Sequence, residues 1–279
     1  MQTPTDSREW ITIAKKFEKR WQFPRCIGAV DGKHIRIEAP PTSGSEFYNY
    51  KGYHSIILFA IVDAEYNFIY ISVGANGRAG DAAVWNDCEF RRTLEDNSLN
   101  VPPDYVIVGD DAFPLKSYLM KPYSKRNMNR REKVFNYRLS RARRIVENAF
   151  GILAWRFRIF QRPIDVKVET ADLIVWVACA LHNWLHHVNP TCVVGLADGE
   201  DLNTGDVVPG SWRCVPRHLR SVGRLITGNR YTTAAENVRT AYANYFIHEG
   251  AVPWQWKKAE VREESSDEDE QAVDDVAST

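Results

Sequence analysis

The sequence predicts an α/β fold in which a mixed sheet is covered by helices on both faces, and three observations carry that prediction. Three strand-like stretches come early: CIGAV with HIRIEA, HSIILFAIVDA and NFIYISVGAN, rich in Ile, Val, Tyr and Phe and punctuated by Gly, Pro and Asn. The second of them is apolar almost throughout, the mark of a strand buried on both faces. A helical stretch, another apolar strand and two long helices follow, an order that fits layered α/β architecture rather than an all-α or all-β one.

Each element has a local reason. Residues 6 to 22 read as an amphipathic helix, because Asp6 and Glu9 resemble a capping pair and Trp10, Ala14, Phe17 and Trp21 recur at helical spacing before Pro24 stops it. Asp31-Gly32, between CIGAV and HIRIEA, is a strong two-residue hairpin signal. Residues 81 to 96 begin with an acid and keep helical periodicity, and YVIVGD (105 to 110) reads as a buried strand ending in a loop. The basic stretch 122 to 136 reads as a loop. A long helix is expected over 137 to 160, where Leu139, Ala142, Val146, Ala149, Phe150, Leu153 and Phe157 make one stripe. A second, over 170 to 188, is apolar nearly all round. Residues 190 to 232 read as a loose connection before a last helix near 234 to 247, and the tail from about 259 has too much like charge and too few apolar residues to order itself. The expected units are an N-terminal helix (1–22), a catalytic domain (23–190), an extension packed on it (191–258) and a disordered acidic tail (259–279).

The chain has 279 residues, with 36 Lys and Arg against 36 Asp and Glu, so its formal net charge of zero looks like an argument against a nucleic-acid partner. Location reverses it. From Lys116 to Arg162 fourteen basic residues face only Glu132 and Glu147, a local balance of +12, and from Ala259 to Thr279 nine acids face Arg262 alone. Charge per segment, not the total, speaks about partners. Five scattered cysteines without a C-x-x-C pair suggest neither a disulfide framework nor a four-cysteine zinc site, and fit a reducing compartment. The longest apolar run, Leu173 to Leu181, is half of what a membrane span needs, so a soluble, intracellular chain with no membrane partner is expected.

Three acids sit where an α/β fold can gather them: Asp31 beside the first strand, Asp110 at the C-terminal end of the fourth, and Glu147 on the long helix. Each has a plainer reading: a hairpin turn for Asp31, a cap for Asp110 or Asp111, and for Glu147 a surface pair with Arg143 worth about 0.3–0.5 kcal/mol. Cys179, His182 and His186 have helical spacing for metal ligands, but a closed four-ligand set is not evident, and core histidines fit better.

Taken jointly, CIGAVDGKHIRIEAP, NYKGYHS, GRAGDAAVW, VIVGDDAFPL and NYRLSRARRIVENAFGILAWRFRIF followed by ALHN resemble the catalytic domain of the PIF/Harbinger transposase superfamily, a DDE-type group that includes domesticated nuclease-like relatives. The resemblance runs from about Phe23 to Trp256. It implies an RNase H-like fold with the catalytic triad at Asp31, Asp110 and Glu147, and a further acidic position at Asp81, whose plainer reading is a helix cap. It also implies two divalent cations, Mg²⁺ or Mn²⁺, which hard carboxylate oxygens select over zinc. On that scheme Asp31 bridges the metals, Asp110 and Glu147 each complete one site, and Asp81 supports from nearby. Water would free a 3′ hydroxyl, which then attacks target DNA. Lys125, Arg126, Arg130, Arg131, Lys133, Arg138, Arg141 and Arg144 are the candidate phosphate contacts.

Family members carry a helix-turn-helix-like region ahead of the catalytic domain and often act with a separate Myb-like protein. About thirty residues precede Asp31 here, so the sequence-reading domain is expected outside this chain. A nuclear location follows from the resemblance, and a homo-oligomer is compatible with it. The alternative reading is a domesticated, catalytically silent nuclear module that binds DNA or protein.

Overall fold

The computed structural model describes residues 3–201, 203–214, 219–222 and 231–260. Its centre is a mixed six-stranded sheet whose main path runs β3-β2-β1-β4-β5: β1 (Cys26–Arg36), β2 (Ser55–Val62), β3 (Phe68–Asn76), β4 (Val106–Val108) and β5 (Leu119–Met120). β1, β2 and β3 pair antiparallel, whereas β1, β4 and β5 run parallel. Two short strands, β6 (Gly199–Glu200) and β7 (Val207–Val208), form a separate ribbon, and β8 (Arg220–Ser221) pairs antiparallel with the far end of β1 at His34 and Lys33.

Alternation along β1 and β2 sorts the core. Ala29 and Ile35 with Ile56, Leu58 and Ala60 face one cluster; Ile27 and Val30 with Ile57, Phe59 and Ile61 face the other. β2 is buried at every position, as its unbroken apolar run predicted. The first cluster is filled by α4 (Arg130–Arg156), α5 (Val168–Val188) and α6 (Thr233–Ile247), and the second by α2 (Asp81–Asp87) and α3 (Glu89–Glu95). α1 (Ser7–Trp21) contributes to both. Its cap is Asp6, whose carboxylate accepts from the Arg8 amide.

Several expectations are corrected. Asp31-Gly32 is not a hairpin turn: β1 runs straight through it, with Asp31 opposite Ala60 and Gly32 opposite Phe59. Gly32 serves close approach instead, since a Cβ there would stand 2.1 Å from Asp81 Oδ1. The 81 to 96 segment is two helices, broken where Cys88 is extended. The basic stretch is a loop only to Asn129, which caps α4 in a reciprocal box with Glu132; Arg130, Arg131 and Lys133 are therefore helical. β5 had no sequence signal beyond two residues.

The 190 to 232 connection is more ordered than its composition suggested where it is described. Trp212 lies over Gly151 of α4, where any side chain would collide with the indole, and donates to Asn148 Oδ1 at 2.7 Å. Asn148 Oδ1 also takes the Asp198 amide, and Asp198 pairs with Arg213 at 2.5 Å. A short α7 (Gln255–Lys258) closes the described chain. The acidic tail beyond residue 260 lies outside the described residues. Among those described, no helix is long and apolar enough to cross a membrane.

Candidate metal centre and nucleic-acid interface

The site forms where β1 changes partners. β4 accompanies β1 only as far as Ala29, opposite Val108, and β8 takes up the same edge from Lys33. Asp31 lies in the gap. Asp110 follows the end of β4, and Asp81 opens α2 and reaches across Gly32. One carboxylate oxygen from each of Asp31, Asp81 and Asp110 lies within 4.8 Å of the others.

Asp31 is 1% exposed and already compensated: its Oδ2 accepts from Lys33 Nζ at 2.6 Å, and its Oδ1 from the Gly32 amide at 2.9 Å. Lys33 shares the α4-facing side of the strand two residues on, stands 5.5 Å from the Phe150 ring and also donates to Ser221 Oγ at 2.8 Å. Asp110 accepts from the Ala112 amide at 2.9 Å, and burial together with the Asp31 charge raises its pKa. Asp81 has nothing of the kind. It is 1% exposed, neither carboxylate oxygen has a hydrogen-bond partner, and burial with the charges of Asp31 and Asp110 pushes its pKa well up. A buried carboxylate without a donor is unfavourable, and three acids this close repel one another. Both facts fit a cationic guest, and oxygen-only donors fit a hard divalent cation.

Glu147 is not within that group. It sits on α4, partly exposed, with Oε1 2.7 Å from Arg143, the surface pair the spacing allowed. Arg143 links it to the centre. Burial pulls the guanidinium down, but the charges of Glu147, Asp31 and Asp110 outweigh it and hold its pKa up.

A cleft of about 740 Å³ adjoins Asp110, with Lys121, Lys125, Arg126, Arg143 and Arg239 among its walls. Lys125 and Arg126 are exposed there. Arg138 and Arg141, by contrast, cannot meet phosphates: both are fully buried. Arg138 donates to the Gly250 carbonyl and Gln255 Oε1, each at 2.8 Å, and Arg141 is ion-paired with Glu200 at 2.6 Å while donating to the Trp21 carbonyl. Both are struts that tie α4 to α1, the ribbon and the C-terminal segment. Arg144 is half-buried beside Glu200, Arg130 stacks 4.5 Å from the Trp256 ring, and Arg131 donates to Asn244. Lys133 is half-buried on α4.

His182 and His186 of α5 are buried core residues. His182 Nε2 donates to the Tyr66 carbonyl at 2.9 Å while Nδ1 faces the Arg156 guanidinium at 3.3 Å, and His186 Nδ1 meets Asn67 Oδ1 at 2.7 Å.

Sequence reasoning assigned no role to Lys33 or Lys121, and it marked Gly32 only as a turn residue and Arg143 only as the surface partner of Glu147. For Lys33 a signal existed, since i and i+2 on a strand share a face.

A buried acidic cluster that could hold a metal ion, beside a basic cleft, is an arrangement suited to phosphotransfer or nuclease chemistry. Comparison bears on the class directly: the family described as DDE superfamily endonuclease matches residues 30–183, more than half of this chain, and the chain belongs to that family. Among curated proteins it is similar to "Protein ALP1-like" of Arabidopsis thaliana, 30% identical over 185 residues (61% of this chain, 45% of that one). It is also similar to "Putative nuclease HARBI1" of Rattus norvegicus, 26% identical over 187 residues (64% and 51%), and to the Homo sapiens protein of the same name, 25% over 183 residues (64% and 51%). The chain spans about half the length of the curated relatives it matches. No solved structure matches it.

Proposed function

We propose that this chain is a divalent-metal-dependent DNA endonuclease of the PIF/Harbinger transposase type, hydrolysing phosphodiester bonds and competent in strand transfer. The observation that carries it is Asp81: a buried carboxylate with no hydrogen-bond partner, grouped with Asp31 and Asp110 beside a basic cleft. The strand order 3-2-1-4-5 supports an RNase H-like reading. Asp31, Asp81 and Asp110 would hold Mg²⁺ or Mn²⁺, with Glu147 the fourth carboxylate and the last member of the catalytic triad. When bound, the cation supplies Lewis acidity at the phosphoryl oxygens and lowers the pKa of an attacking water.

The chain's own residues do the rest. Gly32 lets Asp81 approach, the Ala112 amide fixes the Asp110 rotamer, and Lys33 holds Asp31. Lys125 and Arg126 at the cleft mouth would carry the strand's phosphates, with Arg130, Arg131, Lys133 and Arg144 further along α4. The resemblance to the transposase family also carries the proposals of a nuclear location, a separate Myb-like partner and a catalytic unit spanning 23–190 with 191–258 packed on it.

A second reading, a catalytically silent DNA- or protein-binding module, is favoured by one observation: Lys33 and Arg143 already neutralise Asp31 and Glu147. Incubating purified protein with labelled DNA in Mg²⁺, Mn²⁺ or EDTA, beside Asp110→Asn, separates the two. Metal-dependent cutting lost in the variant supports the enzyme; equal cutting by both proteins refutes the assignment, and binding without cutting under every metal supports the module.

A further inference from the structure

The carboxylates have a second flank, formed by the connection between β1 and β2. Asn49 holds that turn: its Oδ1 accepts from the Lys51 amide at 2.9 Å, and Gly52 takes a positive φ of 84°. Its Nδ2 donates to Ser55 Oγ at 2.8 Å, and Ser55 Oγ is 2.9 Å from His34 Nδ1. Run in that direction, the chain leaves the proton of His34 on Nε2. That atom is fully buried and has no partner.

Against the His34 ring, with centroids 6.1 Å apart, lies Tyr50. Its side chain is 67% exposed, although its hydroxyl is close enough to Asp81 for that charge, after burial, to raise its pKa. Lys51 Nζ stands 5.3 Å from the Tyr50 centroid and donates to the Ser221 carbonyl of β8, and Arg220 is exposed beside it. A lone exposed tyrosine is ordinary. An aromatic ring open to solvent, seated on the networked His34 ring between two cations and a carboxylate cluster, is not.

We infer that Tyr50, Lys51 and Arg220 form a nucleotide subsite that takes an unpaired base of the substrate strand beside the carboxylates. The base stacks on Tyr50, and its phosphate lies against Lys51 and Arg220, with the buried His34 ring backing the tyrosine. Aromatic faces and cations in this arrangement bind single-stranded nucleic acid with little regard to sequence. The inference rests on the nuclease reading and narrows it: the substrate is DNA with a nucleotide out of the stack, which duplex alone provides at the cost of unpairing.

The test is binding without turnover. Fluorescence anisotropy in Ca²⁺ compares a fully paired duplex with the same duplex carrying one unpaired 2-aminopurine. Wild type should prefer the unpaired probe and quench its fluorescence. Tyr50→Ala should weaken that complex roughly 5- to 150-fold, the worth of one base–aromatic stack, while binding paired duplex as wild type does; Tyr50→Phe should keep both behaviours. Equal affinity of Tyr50→Ala and wild type for the unpaired probe overturns the inference alone, provided that DNA is bound and cut. Absence of any DNA binding by wild type overturns it together with the nuclease reading.

Discussion

Replacing Asp81 by Asn should stabilise the metal-free protein and abolish its response to metal. At 4.8 Å, the outer separation within the cluster, each like-charged pair is opposed by about 3.5 kcal/mol at an effective dielectric of 20. Lys33 already offsets Asp31, so the uncompensated part falls on Asp81 against Asp110 and on the burial of Asp81 itself. The Asn amide removes that charge and offers N–H donors to both neighbouring carboxylates. A gain of about 2–4 kcal/mol is expected, and with about 2–4 °C per kcal/mol in a chain of this size, a Tm rise of roughly 4–16 °C in EDTA at pH 7.5. The sign with pH follows from the raised pKa of Asp81: the folded wild type loses stability as pH rises through that value, and the gap between variant and wild type closes as pH falls towards the ordinary Asp range near 4. Wild type at a free Mn²⁺ of 100 times Kd should gain about 2.7 kcal/mol, and Asp81→Asn almost none. Differential scanning calorimetry with and without Mn²⁺ reads both. A variant no more stable than wild type in EDTA, or one that keeps the full Mn²⁺ shift, refutes the reasoning.

Gly32→Ala should act on the same centre without touching a carboxylate: its Cβ would stand 2.1 Å from Asp81 Oδ1, so the Mn²⁺-induced Tm shift should be lost while the circular dichroism spectrum stays that of wild type. Arg143→Gln releases Glu147 from its ion pair and should raise Mn²⁺ affinity by roughly 2- to 5-fold, the worth of one partly exposed pair; isothermal titration measures it, and an unchanged or lower affinity counts against Glu147 as a ligand. Lys125→Gln with Arg126→Gln should reduce the slope of log K against log salt by about 1.8. Arg141→Met, which strands Glu200 in the interior, should leave that slope alone and destabilise the fold by about 3–5 kcal/mol. Burial, with Arg156, lowers the pKa of His182 to about 3, so its contribution to stability is complete above pH 6.5 and lost as pH falls below it; His182→Gln should flatten the decline in urea midpoint between pH 7 and pH 5.

The sheet was legible because burial wrote itself into composition: β2 is buried at every position and the sequence shows an uninterrupted apolar run. Helix boundaries were less so. The start of α4 was hidden because Arg130, Arg131 and Lys133 look like loop composition, while the signal that mattered, Asn129 with Glu132 three residues later, is a capping box. Asp31-Gly32 misled for a related reason. Local propensity makes it a turn, and what decides the matter is a tertiary approach, Asp81 over Gly32, that no window of sequence contains. The candidate site divides the same way. Asp110 reaches the centre from the end of β4, a place predictable from topology, whereas the partners of Arg138 and Arg141 lie more than fifty residues away in the chain.

That division also changes what the basic segment means. A balance of +12 between Lys116 and Arg162 reads as one phosphate-binding field, yet burial splits it into three groups with different work. Arg138 and Arg141 hold α4 against α1 and the ribbon, and their charge is spent inside the protein. Arg143 faces the carboxylates, where its positive charge balances Asp31, Asp110 and Glu147 in the absence of a cation. Lys121, Lys125 and Arg126 line the open cleft. Of these, Lys125 and Arg126 face solvent, while Lys121 is buried and donates to the Asp111 carbonyl. The field that the cleft offers a polyanion is therefore smaller than the sequence suggests but better placed, since cations concentrated at one cleft raise the local potential more than the same charges dispersed along a helix. Lys51, with Arg220 beside it, adds positive charge near Asp31 and Asp81, and cations around the centre let a polyanion approach a cluster of carboxylates that would otherwise repel it.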